Sequence, residues 1–250
     1  MPLALVPGVG SEIQLVGGSR AIARVRTMIE RVAAVDSGVL IVGESGTGAE
    51  LLAEEIHSLG SRRERPFVRV ECATFAGDPG IDEILGTDSE PGLWHRAVQG
   101  SLYLHEIEAL PLSAQARLVR RLIDTESQPG APRYLASAAA PLGEAVRFRR
   151  FRSDLYYRLA VVVVTLPPLR ERPEDVPLLA ACILEEASKR LQKRFDGIER
   201  DAMECLRSYP WRGNLTELAA ALERAAVIER SPTLTRSSLP PEVATLAQGS

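Results

Sequence analysis

Residues Val39–Glu50 read VLIVGESGTGAE. Val39, Leu40, Ile41 and Val42 form a short, β-branched apolar run of the kind that makes a buried strand. Gly43, Glu44, Ser45, Gly46, Thr47 and Gly48 follow at once, and Leu51–Ile56 reads as an amphipathic helix. Strand, glycine loop and helix, in that order, are the context in which a loop cradles phosphate. Glycines let backbone N–H groups turn inward, and the helix N-terminus adds positive potential. The pattern requires a lysine after the last glycine. Here Ala49 stands in that place, followed by Glu50. A structural turn between a strand and a helix remains the alternative reading of these residues alone.

No neighbouring lysine can stand in for Ala49. The only lysines are Lys189 and Lys193, and every earlier basic side chain that is permanently charged is an arginine. The loop therefore has the shape of a phosphate cradle without its usual cation.

Outward from the loop, apolar runs alternate with helical patterns. Ser19–Ala33 carries Ile22, Val25, Ile29 and Val32 at helical spacing. Pro66–Val70, Ser101–Leu104, Arg133–Ser137 and Val161–Leu166 read as further strands, the last with four consecutive valines. Gln115–Ile123 and Leu155–Leu159 read as helices, and Ala76–Pro91 as loop around a short helix at Ile81–Leu85. Alternation of this kind predicts an α/β fold, a parallel sheet with helices on both faces, whose ligands sit beyond the C-terminal strand ends. Gly43–Gly48, His105 with Glu106, and Ser137–Ala139 all fall at such ends. From Pro173 the pattern changes to amphipathic helices at Glu174–Leu191, Glu199–Ser208 and Asn214–Glu229, a small helical subdomain.

Composition bounds the function classes. At 250 residues, 45% apolar and 25% charged, this is ordinary globular protein with one large domain or a large and a small one. A net charge of −3 gives no bulk attraction to nucleic acid or anionic membrane. No apolar run approaches transmembrane length. Cys72, Cys182 and Cys205 are scattered without metal spacing and predict reduced core thiols in a cytoplasmic protein. His105 beside Glu106 has the residue types of a metal site. A strand-end histidine next to one carboxylate is more often a satisfied polar residue, so no metal is assigned. Arg147, Arg149, Arg150 and Arg152 lack interleaved aromatics or a helix-turn-helix and read as a solvated face. Trp94 and Trp211 read as core or interface residues.

Four stretches together, GESGTG at Gly43–Gly48, FRSDLYYRL at Phe151–Leu159, LPPLRERPEDVPLLA at Leu166–Ala180 and WRGNLTEL at Trp211–Leu218, resemble the sigma-54 interaction domain. This is the AAA+ ATPase module of bacterial enhancer-binding transcription activators. The resemblance runs from about Leu15 to Pro241. It implies an N-terminal arm over 1–14, an AAA+ α/β subdomain over 15–170 with a degenerate P-loop, a helical lid over 171–232, and a tail over 233–250 with no DNA-binding helix-turn-helix. It further implies assembly into rings, with nucleotide held between subunits. Partners would be AAA+ relatives, in a homo- or mixed oligomer, or another transcription-regulatory protein, with no autonomous DNA binding and no membrane.

Carried over residue by residue, most working parts are altered. The loop lysine, which neutralises phosphate charge, is Ala49. The aspartate that holds magnesium is His105, and imidazole is a poor ligand for a hard, oxygen-seeking cation. Glu106, the carboxylate that polarises the attacking water, survives. The asparagine that holds that glutamate is Glu71. The sensor asparagine aligns with Ala139 or a neighbour in Ala138–Ala140, and the lid arginine with Thr216. The sigma-contacting GAFTGA loop is missing, since only Thr87–Pro91 separates Gly86 from Gly92. Arg152 and Arg158 match the fingers that reach a neighbour's phosphate, and a role as surface salt-bridge partners stays open beside it. These changes imply a catalytically inactive domain that requires no cofactor, ATP or ADP binding remaining possible but weak. The alternative is an ATP-binding activator that senses or hydrolyses its nucleotide.

Overall fold

The computed structural model describes residues 15–75, 78–87, 89–126 and 128–245. The expected arm over 1–14 and the last residues of the expected tail, 246–250, lie outside the described residues. The described residues form two compact units. One comprises Val25–Gly43 and Leu52–Leu166. The other comprises Glu44–Leu51 with the described parts of Met1–Arg24 and Pro167–Ser250. Glu44–Leu51, which the sequence assigns to the α/β part, thus groups with the helical residues.

The first unit is built on a five-stranded parallel sheet in the order β2-β3-β4-β1-β5. Its strands are β1 Val39–Val42, β2 Phe67–Glu71, β3 Ser101–His105, β4 Arg133–Ala138 and β5 Val162–Thr165. β1 is central, between β4 and β5, and all four of its residues are buried. A β-branched run buried on both faces is what such a position selects. One face carries Leu40, Val42, Val68, Val70, Leu102, Leu104 and Ala136, which join Ile81, Ile84, Trp94, Leu118, Leu122, Leu155 and Leu159 in one core. Each fully buried aliphatic side chain there contributes about 1.5–3 kcal/mol. Alternate residues, Val39, Ile41, Tyr103 and Leu135, are buried on the other face.

α1 (Arg20–Ala33) and α2 (Ala49–Ser58) contribute residues to both units. α3 (Asp78–Leu85), α4 (Leu93–Arg96), α5 (Leu112–Thr125), α6 (Gly143–Arg147) and α7 (Ser153–Leu159) belong to the sheet unit. α3 starts earlier than the Ile81 expected from sequence. β5 is an edge strand, and Val161 and Val163 are 59% and 41% exposed, so its run of valines does not signify burial on both faces.

In the second unit, α8 (Val176–Leu191), α9 (Arg200–Ser208) and α10 (Asn214–Ile228) enclose Leu179, Ile183, Leu206, Trp211, Leu218 and Leu222. Residues 233–245, expected as tail, are ordered parts of this unit. β7 (Thr233–Leu234) pairs with β6 (Gly197–Ile198), α11 (Pro241–Thr245) follows, and Leu234, Leu239 and Val243 enter the same core. Asp175, 1% exposed, accepts from the backbone N–H groups of Gly18 and Ser19 at 2.7 and 2.8 Å and from Ser19 Oγ at 2.7 Å. Ser19 Oγ in turn caps the Ile22 N–H, which fixes the start of α1. Cys72 and Cys205 are buried free thiols, and Cys182 is half-buried.

Candidate functional site

The glycine loop is held by its own unit. Gly46 and Gly48 have φ of +79° and +101°, left-handed values that a side chain opposes. A Cβ on Gly46 would stand 2.3 Å from the Gly213 carbonyl oxygen. Thr47 is fully buried, and its Oγ1 donates to the Glu44 carbonyl at 2.7 Å. Ala49 opens α2, and Glu50 lies in the same first turn. Leu215 N–H donates to the Gly46 carbonyl at 2.9 Å, and Asn214 Nδ2 to the Ser45 carbonyl at 3.0 Å. Asn214, buried and itself at φ +53°, also accepts the Leu169 N–H at 2.8 Å. Thr216 Oγ1 lies beside Gly46. These contacts are made to the loop's carbonyl oxygens, and within the loop the Thr47 N–H also donates to the Glu44 carbonyl at 3.1 Å.

Two arginines stand at the loop, neither in the lysine's place. Arg170 grips Glu44 with two bonds of 2.7 Å, which hold the Glu44 carboxyl below the usual carboxylate range. Arg172 is fully buried and donates through one NH2 to the Thr47 carbonyl at 3.3 Å, while its Nε and other terminal nitrogen have no hydrogen-bond partner among the described residues. Burial lowers its proton affinity, opposed by Asp175.

Four further sequence-predicted residues, Glu71, His105, Glu106 and Ala139, lie at or just beyond the C-terminal strand ends of the sheet unit. Glu71 ends β2, His105 ends β3, and the two are register partners. Glu106 follows at φ +51°. Ligand atoms of Glu71, His105 and Glu106 all lie within 4.8 Å of one another. His105 Nδ1 is 3.0 Å from both Tyr103 Oη and Ser137 Oγ. Tyr103 Oη donates to Ser137 Oγ at 2.9 Å, and so does the Glu106 N–H at 3.1 Å. Arg69 donates to Glu71 at 3.0 Å, offsetting charge where a second carboxylate approaches. Ala139, just beyond β4, has no polar side chain, and its N–H donates to Glu108 Oε1 at 2.6 Å. Burial pushes the Glu108 carboxyl upward.

Arg152 precedes α7, donates bidentately to Asp154 at 3.0 and 2.7 Å, and holds the Asp154 carboxyl below its usual range. Arg158, in the last turn of α7, pairs with Glu126 at 3.0 Å. Between α3 and α4, Gly86 and Gly92 meet. A Cβ on Gly92 would lie 2.2 Å from the Gly86 nitrogen, and Thr87 N–H donates to the Glu90 carbonyl at 2.8 Å. Asp88 lies outside the described residues.

Residues 15–165 match the model of the sigma-54 interaction domain, and residues 170–250 match that of the AAA+ ATPase lid domain. The chain belongs to the sigma-54 interaction domain family. It is 39% identical over 236 residues to the nitric oxide reductase transcription regulator NorR2 of Cupriavidus necator, covering 88% of this chain and 45% of that protein. It is 36% identical over 244 residues to the formate hydrogenlyase transcriptional activator FhlA of Escherichia coli, covering 91% and 35%. Among solved structures it is similar to NtrX from Brucella abortus in complex with ADP, with a TM-score of 0.85 at 34% identity over 94% of this chain and 57% of that one. A complex of the same protein with ATP gives the same score. The chain thus spans less than half the length of these curated relatives. No described helix is long and apolar enough to cross a membrane.

The family's ligands fit this chain unequally. The loop backbone, with left-handed glycines at 46 and 48 ahead of α2, fits phosphate oxygens. The donor set of Glu71, His105 and Glu106 does not fit magnesium, because one donor is an imidazole nitrogen. Sequence reasoning quoted the segments containing Arg170, Arg172 and Asn214 but gave these residues no role. Their partners lie far away in sequence, and only the fold pairs them.

Proposed function

We propose that this chain is a transcription-regulatory AAA+ module that does not turn over ATP and acts by association with AAA+ relatives. The observation that carries this reading is Ala49 at the start of α2, in a chain with no lysine before Lys189. Phosphoryl-transfer catalysis is almost entirely positioning and electrostatic stabilisation. His105, Glu71, Ala139 and Thr216 remove further parts of the same apparatus. The glycine-closed turn at Gly86 and Gly92 supports a chain that does not remodel the sigma factor itself.

Arg152 and Arg158 persist, each paired with an acid of its own chain. A subunit can lack its own site and still complete a neighbour's, and an arginine presented to a γ-phosphate accelerates transfer by roughly 10³–10⁵. Mixing this protein with an ATP-hydrolysing family member tests the association. Donated fingers raise hydrolysis per active subunit, and replacing both arginines with alanine removes the rise. Poisoning of the ring lowers transcription output and survives those substitutions. A chain that stays monomeric at high concentration and leaves the relative unchanged overturns the proposal. A second reading, nucleotide binding without hydrolysis, is favoured by a loop whose carbonyls are engaged while its glycine geometry is kept.

A further inference from the structure

We propose that Glu71, His105 and Glu106 form a nucleotide-independent site for a borderline divalent cation of the zinc type. This goes beyond the reading above and does not depend on it. Two carboxylates and one imidazole present ligand atoms within 4.8 Å of one another at the ends of β2 and β3. His105 Nε2 and Glu71 Oε2 are 4.0 Å apart. Bonds of about 2.0–2.2 Å from each donor close such a group around one ion after small side-chain adjustments. All three residues are half-buried, so the ion has access from solvent and a position left for water.

The histidine is prepared for this role. A ligating imidazole is normally fixed through its other nitrogen. Here Nδ1 faces Tyr103 Oη, and Tyr103 donates onward to Ser137 Oγ. In the tautomer with the proton on Nδ1, that proton goes to the phenol oxygen and Nε2 is left as a lone-pair donor facing Glu71. Ser137 also takes the Glu106 N–H, so one hydroxyl anchors the backbone of the third ligand. The ion would offset the charge of the two carboxylates. Arg69 donates to Glu71 Oε2, the oxygen that faces His105 Nε2, and so holds that carboxylate in place. Nitrogen in the donor set selects zinc-like ions over magnesium or calcium.

Titration of the metal-free, nucleotide-free protein with Co²⁺, followed by visible absorption and by Zn²⁺ competition, tests the site. One Co²⁺ per chain is expected, displaced by Zn²⁺ and not by Mg²⁺, with thermal unfolding shifted upward. Glu71→Gln and His105→Asn each weaken binding at least tenfold, and Tyr103→Phe weakens it about tenfold through the lost orienting bond. Glu71 is half-exposed, so Glu71→Gln keeps the test decisive even if His105→Asn fails to fold. No stoichiometric binding, or binding unchanged by Glu71→Gln, overturns the proposal. Neither result bears on ATP turnover.

Discussion

At the scale of single residues, the proposed inactivity turns on Ala49, whose side chain offers no charge to a phosphate. A hydrogen bond from an ammonium to a charged group contributes roughly 1.5–3 kcal/mol, or about ten- to a hundredfold in affinity. Ala49→Lys is therefore expected to strengthen ATP binding about tenfold or more, read by equilibrium titration. It is expected to leave hydrolysis at background, because His105, Glu71, Ala139 and Thr216 are unchanged. Full turnover from that one substitution would show the other departures to be harmless. The places of Glu71, His105 and Ala139 at strand ends were legible in the sequence, because each stands in or just beyond an apolar run. Their partners were not. Glu71 and His105 meet through strand register, and Ser137 serves both His105 and Glu106 from β4. Such juxtapositions depend on pairing between strands distant in sequence, which no local pattern encodes.

At the scale of elements, buried strands and long helices were read within a few residues, since hydrophobic period and glycine punctuation report them directly. The segment after α10 was not. A two-residue strand exists only because β6 supplies its partner, and the residues of β7 alone carry no signal. Glu229 secures this segment. Its carboxylate accepts the Ser231 and Arg230 N–H groups at 3.0 and 2.8 Å, and the Thr235 N–H and Oγ1 at 3.0 and 2.7 Å. Bonds from Ser231 and Thr235 hold its pKa down to about 2, below the ordinary 4.5. A depressed carboxyl pKa stabilises the fold above the ordinary value, and that stability drains away as pH falls from about 4.5 to about 2. Glu229→Gln is expected to lower stability at neutral pH by about 1 kcal/mol, allowing for partial exposure, and to flatten the acid limb across that window. Urea unfolding at a series of pH values checks both. An unchanged acid limb would remove Glu229 from the account.

At the scale of the molecule, the family's architecture persists, and the proposed function holds that its active parts have changed together. The five-stranded parallel sheet, the helical unit and the glycine loop remain. On the proposed reading, the lysine, magnesium carboxylate, switch asparagine, sensor asparagine, lid arginine and contact loop do not. Loss of one part could be compensated by a neighbour, but loss of all would remove the charge stabilisation on which phosphoryl transfer depends. The most direct measurement is steady-state ATP hydrolysis by the purified protein with magnesium, run beside the Glu106→Ala variant. Hydrolysis at background in both is the predicted result. Magnesium-dependent turnover clearly above background and abolished by Glu106→Ala would contradict it.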